Sequence, residues 1–292
     1  MLASRRLDGA GVRLAGLGTD AVAAATLLLL HGVSRRASTF APLFPWFLPR
    51  FSLLAYDHRG HGDSARAERY RVCDYAADCV EVIGRIAGPV VLYGHSLGAL
   101  VALSTAAACP DRVAGIVLED PPGPTFLAAI DRGPYAAVFS LYQAHAGSRL
   151  DVGALARVLL AAPLPGGAGT PATTFGATRD PAGVRFTASC LKTLDPATMA
   201  PLQANAWLDG IDWQAILRGV TCPALVLRAD PARGGMLPDA DFLALQDSLA
   251  DPTAIDLPGI GHQAVGQQPD LVPRYVLPFL ESLQLGESGP RA

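Results

Sequence analysis

Val90-Val91-Leu92-Tyr93 is a short apolar strand that runs into Gly94-His95-Ser96-Leu97-Gly98, and Leu97 to Ala108 then continues as an alanine- and leucine-rich helix. A G-x-S-x-G between a strand and a helix needs a very tight turn, and that turn pushes the serine hydroxyl out of the chain. Glycine on both sides lets neighbouring backbone pass without a Cβ clash. The helix opening at Leu97 aims the positive end of its dipole at the place where negative charge would form. Ser96 is therefore the candidate nucleophile.

Working outward, the same apolar strand type recurs at Thr26–Leu30, Phe51–Tyr56, Val113–Leu118, Ala224–Leu227 and Thr253–Leu257. Such continuous runs suit strands buried on both faces. Val12–Leu17 follows an Asp-Gly turn and reads as part of an N-terminal hairpin. Helical spacing appears at Asp74–Ile86, Asp239–Leu249 and Asp270–Leu283. This alternation predicts an α/β fold, a mostly parallel sheet covered by helices on both faces.

From about Pro122 to Asn205 the rhythm breaks. Helical patches at Tyr135–Ala144 and Val152–Leu160 flank a Gly/Pro/Thr-rich stretch at Pro163–Thr174. Some 80 residues are too many for an ordinary loop. We expect residues 1–121 and 206–292 to form the core domain, and 122–205 a helical cap over the carboxyl edge of the sheet.

Composition narrows the function. The 292 residues are 50% hydrophobic, enough for a large core, and only 17% charged, with 30 Gly and 24 Pro in keeping with many turns. A formal charge of −3 and a pI near 6.0 give no reason to expect nucleic acid or an anionic membrane as partner. No apolar run approaches the ~20 residues of a membrane span, the longest being Ala21–Leu30. Asp8, Gly9 and Gly11 interrupt what would be a signal peptide's apolar region. The five cysteines are odd in number, widely spaced and without a CxxC, so we expect free thiols, no disulfide framework, no metal site and a cytoplasmic location.

Two more motifs stand at strand ends: Leu29-Leu30-His31-Gly32-Val33, and the turn Asp57-His58-Arg59-Gly60-His61-Gly62-Asp63-Ser64. With a late Gly259-Ile260-Gly261-His262, the order HG, D-x-R-G-x-G-x-S, G-x-S-x-G, G-x-G-H resembles the α/β-hydrolase superfamily from about Val12 to Leu283. The resemblance implies an eight-stranded sheet and a nucleophile–acid–histidine triad with Ser96 and His262. It also implies an oxyanion hole from the backbone N–H groups of Val33 and Leu97, with Ser34 a less favoured donor. His31, His58 and His61 read as turn braces, His95 as aimed away from the nucleophile, and His145 as a cap surface residue.

The acid has more than one reading. The family often carries it a few residues beyond the seventh strand, but that position here holds Ala232, and Asp230 sits two residues early, locked by Pro231. Some members carry it at the end of the sixth strand, where this chain has Leu118-Glu119-Asp120. Asp120 is favoured, with Asp230 the alternative and Glu119 a third choice. Phe126, Tyr135, Phe139, Tyr142, Phe175 and Phe186 enrich the cap, but aromatics at helical spacing are more often packing than ligand contacts.

The expected activity is a serine hydrolase acting through an acyl-enzyme on a carboxylic ester or lactone of a small, mostly apolar substrate, with no cofactor. Thioester, amide or carbon–carbon cleavage stays open on the same residues. Aspartate-dependent dehalogenase or epoxide chemistry is disfavoured by Ser96. A non-catalytic binding protein of the same fold is the alternative from another class. A homodimer stays open.

Overall fold

A computed structural model describes residues 2–20, 23–132, 135–165 and 171–285. Eight strands form one sheet: β1 (Leu2–Asp8), β2 (Arg13–Thr19), β3 (Thr26–Leu30), β4 (Ser52–Tyr56), β5 (Val90–His95), β6 (Val113–Glu119), β7 (Ala224–Ala229) and β8 (Pro252–Leu257). Their spatial order is β1-β2-β4-β3-β5-β6-β7-β8. β2 runs antiparallel to β1 and β4, and every other pairing is parallel.

The apolar strands are apolar because both faces are covered. Along β3, Leu28 and Leu30 enter one core with Leu92, Tyr75 and Leu100. Leu27 and Leu29 enter the opposite core with Phe40, Tyr93 and Val276. The period of two thus splits one five-residue run between two cores. Helices α1 (Val72–Gly84) and α2 (Leu97–Ala108) cover the first face, and Val272–Ser282 covers the second.

Most element bounds fall within two residues of those predicted. The parallel strands run to the ends of their apolar stretches or slightly beyond, because the ladder continues through polar residues once neighbours hold the register, as His95 opposite Glu119 does. β1 was foreseen only as the unnamed partner of a hairpin.

The described residues of 122–205 add no strand to this sheet. They hold α3 (Tyr135–His145), α4 (Val152–Ala161), α5 (Pro181–Thr193), shorter helical turns and a two-residue pairing of Pro163–Leu164 with Thr173–Thr174. Residues 166–170 of the Gly/Pro/Thr-rich stretch, and Ala21 and Val22 of the longest apolar run, lie outside the described residues. α5 has no counterpart in the sequence reading, although Asp180-Pro181 is a good start signal: Asp180 caps the helix by accepting from the Gly183 amide at 2.7 Å. Among the described residues no helix is long and apolar enough to cross a membrane.

Candidate active site

The end of β5 is built around close approaches. A Cβ on Gly94 would lie 2.2 Å from the carbonyl oxygen of Gly98, and one on Gly98 would lie 1.9 Å from that of Leu30. Both positions therefore exclude any side chain. Between them Ser96 takes φ 54° and ψ −117°, outside the regions an L-residue favours. Such backbone costs about 1–3 kcal/mol and persists only where the surroundings over-determine it. Here the Ser96 amide donates to the Glu119 carbonyl at 3.0 Å, tying the turn to the end of β6.

One residue further along β6, Asp120 is fully buried and also has positive φ, 45°. Its Oδ2 accepts from His262 Nδ1 at 2.6 Å and from the Met236 amide at 2.7 Å, and its Oδ1 accepts from the Ala229 amide at 3.2 Å. A buried carboxylate needs such donors to stay ionised. In the neutral ring, a proton held on Nδ1 by this bond puts the free lone pair on Nε2, the tautomer that can take a proton from a hydroxyl.

Asp230 does not join this group. It is half-buried at the surface, and its two oxygens accept from the amides of Ala232 and Gly259, each at 2.8 Å. Those two bonds lower its pKa. The physical reason is local: Pro231 starts a short turn at once, and Asp230 caps that turn instead of folding back. Glu119 does not reach the His262 ring either. Its Oε2 accepts from the Tyr93 hydroxyl, and its Oε1 accepts from the Val265 amide at 3.1 Å. Burial pushes this carboxyl up to about 7.

The histidine-rich turns are structural joints. His58 donates its amide to His31 Nε2 at 2.9 Å, and Ser34 donates its amide to His61 Nε2 at 3.2 Å. Burial brings His31 down to about 4 and His61 down to about 3, and holds His58 and His95 well below the usual range. All four are neutral near pH 7; His31 and His61 have both ring nitrogens bonded, whereas Nδ1 of His58 and of His95 is buried without a partner among the described residues. The His95 ring lies 4.8 Å from the His262 ring, and its Nε2–H donates to the His262 carbonyl at 2.9 Å. No motif in the sequence signals that brace, which joins residues 167 positions apart.

The backbone near Ser96 offers free donors. Ser34 has spent its amide on His61, whereas among the described residues the amides of Val33 and Leu97 donate no hydrogen bond. A Cβ on Gly32 would stand 3.2 Å from Ser96 Cβ, so the loop after β3 lies directly against the serine. From the 122–205 insert, the Tyr135 ring lies 6.2 Å from the His262 ring, and Phe126 and Phe139 lie 5.7 and 5.8 Å from Tyr135. The Tyr135 hydroxyl donates to the Gly234 carbonyl. Phe186 lies elsewhere, on α5 beneath the guanidinium of Arg36. His145 ends α3, half-buried. No group of histidine, cysteine and carboxylate side chains among the described residues could hold a metal ion, and the five cysteines are free.

The motif order and this geometry agree with the family model described as "Alpha/beta hydrolase family", which matches residues 27–273. The chain belongs to the alpha/beta hydrolase family. Within it, the chain is 30% identical over 265 residues to the 2-(acetamidomethylene)succinate hydrolase of Mesorhizobium japonicum, 88% of each protein being covered. A crystal structure of E-2-(acetamidomethylene)succinate hydrolase superposes with a TM-score of 0.75 at 26% identity, over 96% of this chain and all of that one. A shorter match, 32% identity over 92 residues, links the chain to the pimeloyl-[acyl-carrier protein] methyl ester esterase of Methylococcus capsulatus, spanning 32% of this chain and 35% of that protein. As an alpha/beta hydrolase with hydrolases as relatives, this protein is expected to cleave its substrate with water.

Proposed function

We propose that this hydrolase uses Ser96, His262 and Asp120 as a catalytic triad and cleaves a carboxylic ester or lactone through an acyl-enzyme. The observation that carries the reading is the 2.6 Å bond from His262 Nδ1 to the buried Asp120, just past the end of the strand beside the strained Ser96 turn. Ser96 Oγ attacks the substrate carbonyl carbon while His262 Nε2 takes its proton. The negative oxygen of the tetrahedral intermediate is held by the amides of Val33 and Leu97, aided by the start of α2. As the intermediate collapses, the carbon–oxygen bond to the alkoxide breaks, and the alkoxide leaves with the proton from His262. Water then gives a proton to His262 and attacks the acyl group, and the acid departs as Ser96 regains its hydrogen.

The 122–205 insert acts as the cap in this reading, with Tyr135, Phe126 and Phe139 forming an apolar wall beside His262. The relative from Mesorhizobium japonicum supports a second reading, amide cleavage by the same residues, because its named substrate carries an acetamido group. Steady-state hydrolysis of p-nitrophenyl acetate and butyrate, beside matched anilides, tests both. Turnover lost in Ser96→Ala supports the triad, and full turnover in that variant overturns it.

A further inference from the structure

The loop after β3 continues past Val33 as Ser34-Arg35-Arg36. Ser34 has φ 59°, an uncommon conformation for a serine, and the Arg35 amide donates back to the Gly32 carbonyl at 3.2 Å. This tight turn sends two arginines towards α5 of the insert. Arg35 Nη1 donates to Thr187 Oγ1 at 2.7 Å, and Arg36 Nη2 donates to Ser189 Oγ at 3.3 Å. Both side chains are half-buried.

Neither guanidinium has a carboxylate among the described residues. Arg59, by contrast, donates to both oxygens of Asp78 at 2.7 and 2.6 Å, and Arg228 pairs with Asp239, whereas half-buried Arg112 donates to the carbonyls of Ile83 and Ile86. Beside Arg35 and Arg36, the carboxylate of Asp57 spends its oxygens on the amides of Ala37 and Asp63, at 2.7 and 2.9 Å. Each guanidinium has five N–H donors, and a single hydroxyl takes one from each. Arg36 Nε is buried with no acceptor. Leaving charged donors unmatched in a sheltered seam is costly, and an acceptor-rich anion would offset that cost.

The place of this pair matters. Arg35 stands two residues from Val33, whose amide faces the Ser96 side in the proposed mechanism. The loop that carries it lies against Ser96 at Gly32, and the neighbouring Arg36 guanidinium lies over the Phe186 ring of α5.

We propose that Arg35, flanked by Arg36, binds a carboxylate carried by the substrate itself, so that the substrate is an anionic ester or amide with an acid group a few bonds from the scissile carbonyl. This deepens the triad reading and rests on it for the position of the carbonyl. The bidentate fork of arginine suits a carboxylate and would orient the substrate between the Val33 loop and α5. The succinate portion in the name of the Mesorhizobium japonicum relative is of this kind.

The decisive measurement compares kcat/KM for monoethyl succinate with that for diethyl succinate. The intact protein should prefer the monoester, and Arg35→Gln should cut the monoester-to-diester ratio at least about tenfold, even if both rates change. A mere clasp between loop and insert would change both rates together. A preference for the diester in the intact protein, or a ratio within about twofold in Arg35→Gln, overturns the proposal. Binding keeps the two readings separable. Calorimetric titration of succinate into Ser96→Ala should show affinity that falls at least about tenfold on adding Arg35→Gln, whatever bond is cleaved. Should Arg35→Gln fail to fold, a salt series on Ser96→Ala decides. Succinate affinity should weaken steadily towards about 0.5 M salt, and no binding or a salt-independent affinity overturns the proposal.

Discussion

Glu119 and Asp120, consecutive on the chain, hold one loop at two points. Asp120 takes His262 Nδ1 at 2.6 Å, while Glu119 accepts the amide of Val265, three residues further along, at 3.1 Å. The positive φ of Asp120 turns the chain between them, so the two side chains reach different parts of the loop. Glu119 also accepts from Tyr93 on β5, and the amide of Ser96 donates to the Glu119 carbonyl. One residue thereby ties the serine turn and the histidine loop to the same strand end.

The first prediction concerns the nucleophile. A fluorophosphonate probe should modify Ser96 and no other serine, because Ser96, unlike Ser34, sits on a strained turn that leads directly into a helix N-terminus. Peptide mapping by mass spectrometry reads this directly. Adduct on a different serine, or esterase turnover that survives without labelling, would remove Ser96 from the mechanism.

For the acid, the expected contrast is large. Asp120→Asn keeps the shape but loses the charge that fixes the His262 tautomer, a change that cost ~10⁴ in kcat in the serine-protease example. Turnover should fall at least about a hundredfold in Asp120→Asn and less than about tenfold in Asp230→Asn, with both variants folded by circular dichroism. The reverse pattern would assign the acid to Asp230.

Gly98→Ala tests the turn itself. The new Cβ would sit 1.9 Å from a main-chain oxygen of β3, which cannot rotate away. A destabilisation of about 3 kcal/mol or more is expected in urea unfolding, the upper end for an overpacked core. A midpoint equal to that of the parent protein would show that the turn has room after all.

Stability should depend steeply on acid. His31 and His61 titrate at about 4 and about 3 in the fold, against ~6.5 unfolded. Their contribution is present above about 6.5 and is lost as pH falls through the folded values, because the unfolded chain binds the extra protons. His58 and His95 act in the same direction. Glu119 opposes them: with its pKa at about 7, against ~4.3 unfolded, its contribution is present below ~4.3 and is lost as pH rises through about 7. Four groups outweigh one, so the denaturant midpoint should drop between about pH 6.5 and 4. Removing the opposing term in Glu119→Gln should steepen that drop. A midpoint constant over this range would contradict the buried neutral histidines.

What was legible in the sequence is what neighbouring residues decide among themselves. The G-x-S-x-G turn, the apolar strands and the helix from Leu97 announce themselves because chirality, glycine geometry and burial on both faces act within a few residues. Ser96 and His262 stand out as motif residues, and Pro231 directly after Asp230, with the family's sixth-strand pattern, favours Asp120 as the candidate acid. The tertiary structure alone decided how distant side chains meet: Asp120 with His262 across 142 residues, Glu119 with Val265 across 146, and Arg35 with Thr187 across 152. Hydrogen bonds of this kind depend on a few tenths of an ångström set by packing of the whole sheet, and no local pattern encodes that distance. The lack of a carboxylate beside Arg35 and Arg36 among the described residues belongs to the same class, because it is visible only once distant side chains have been placed.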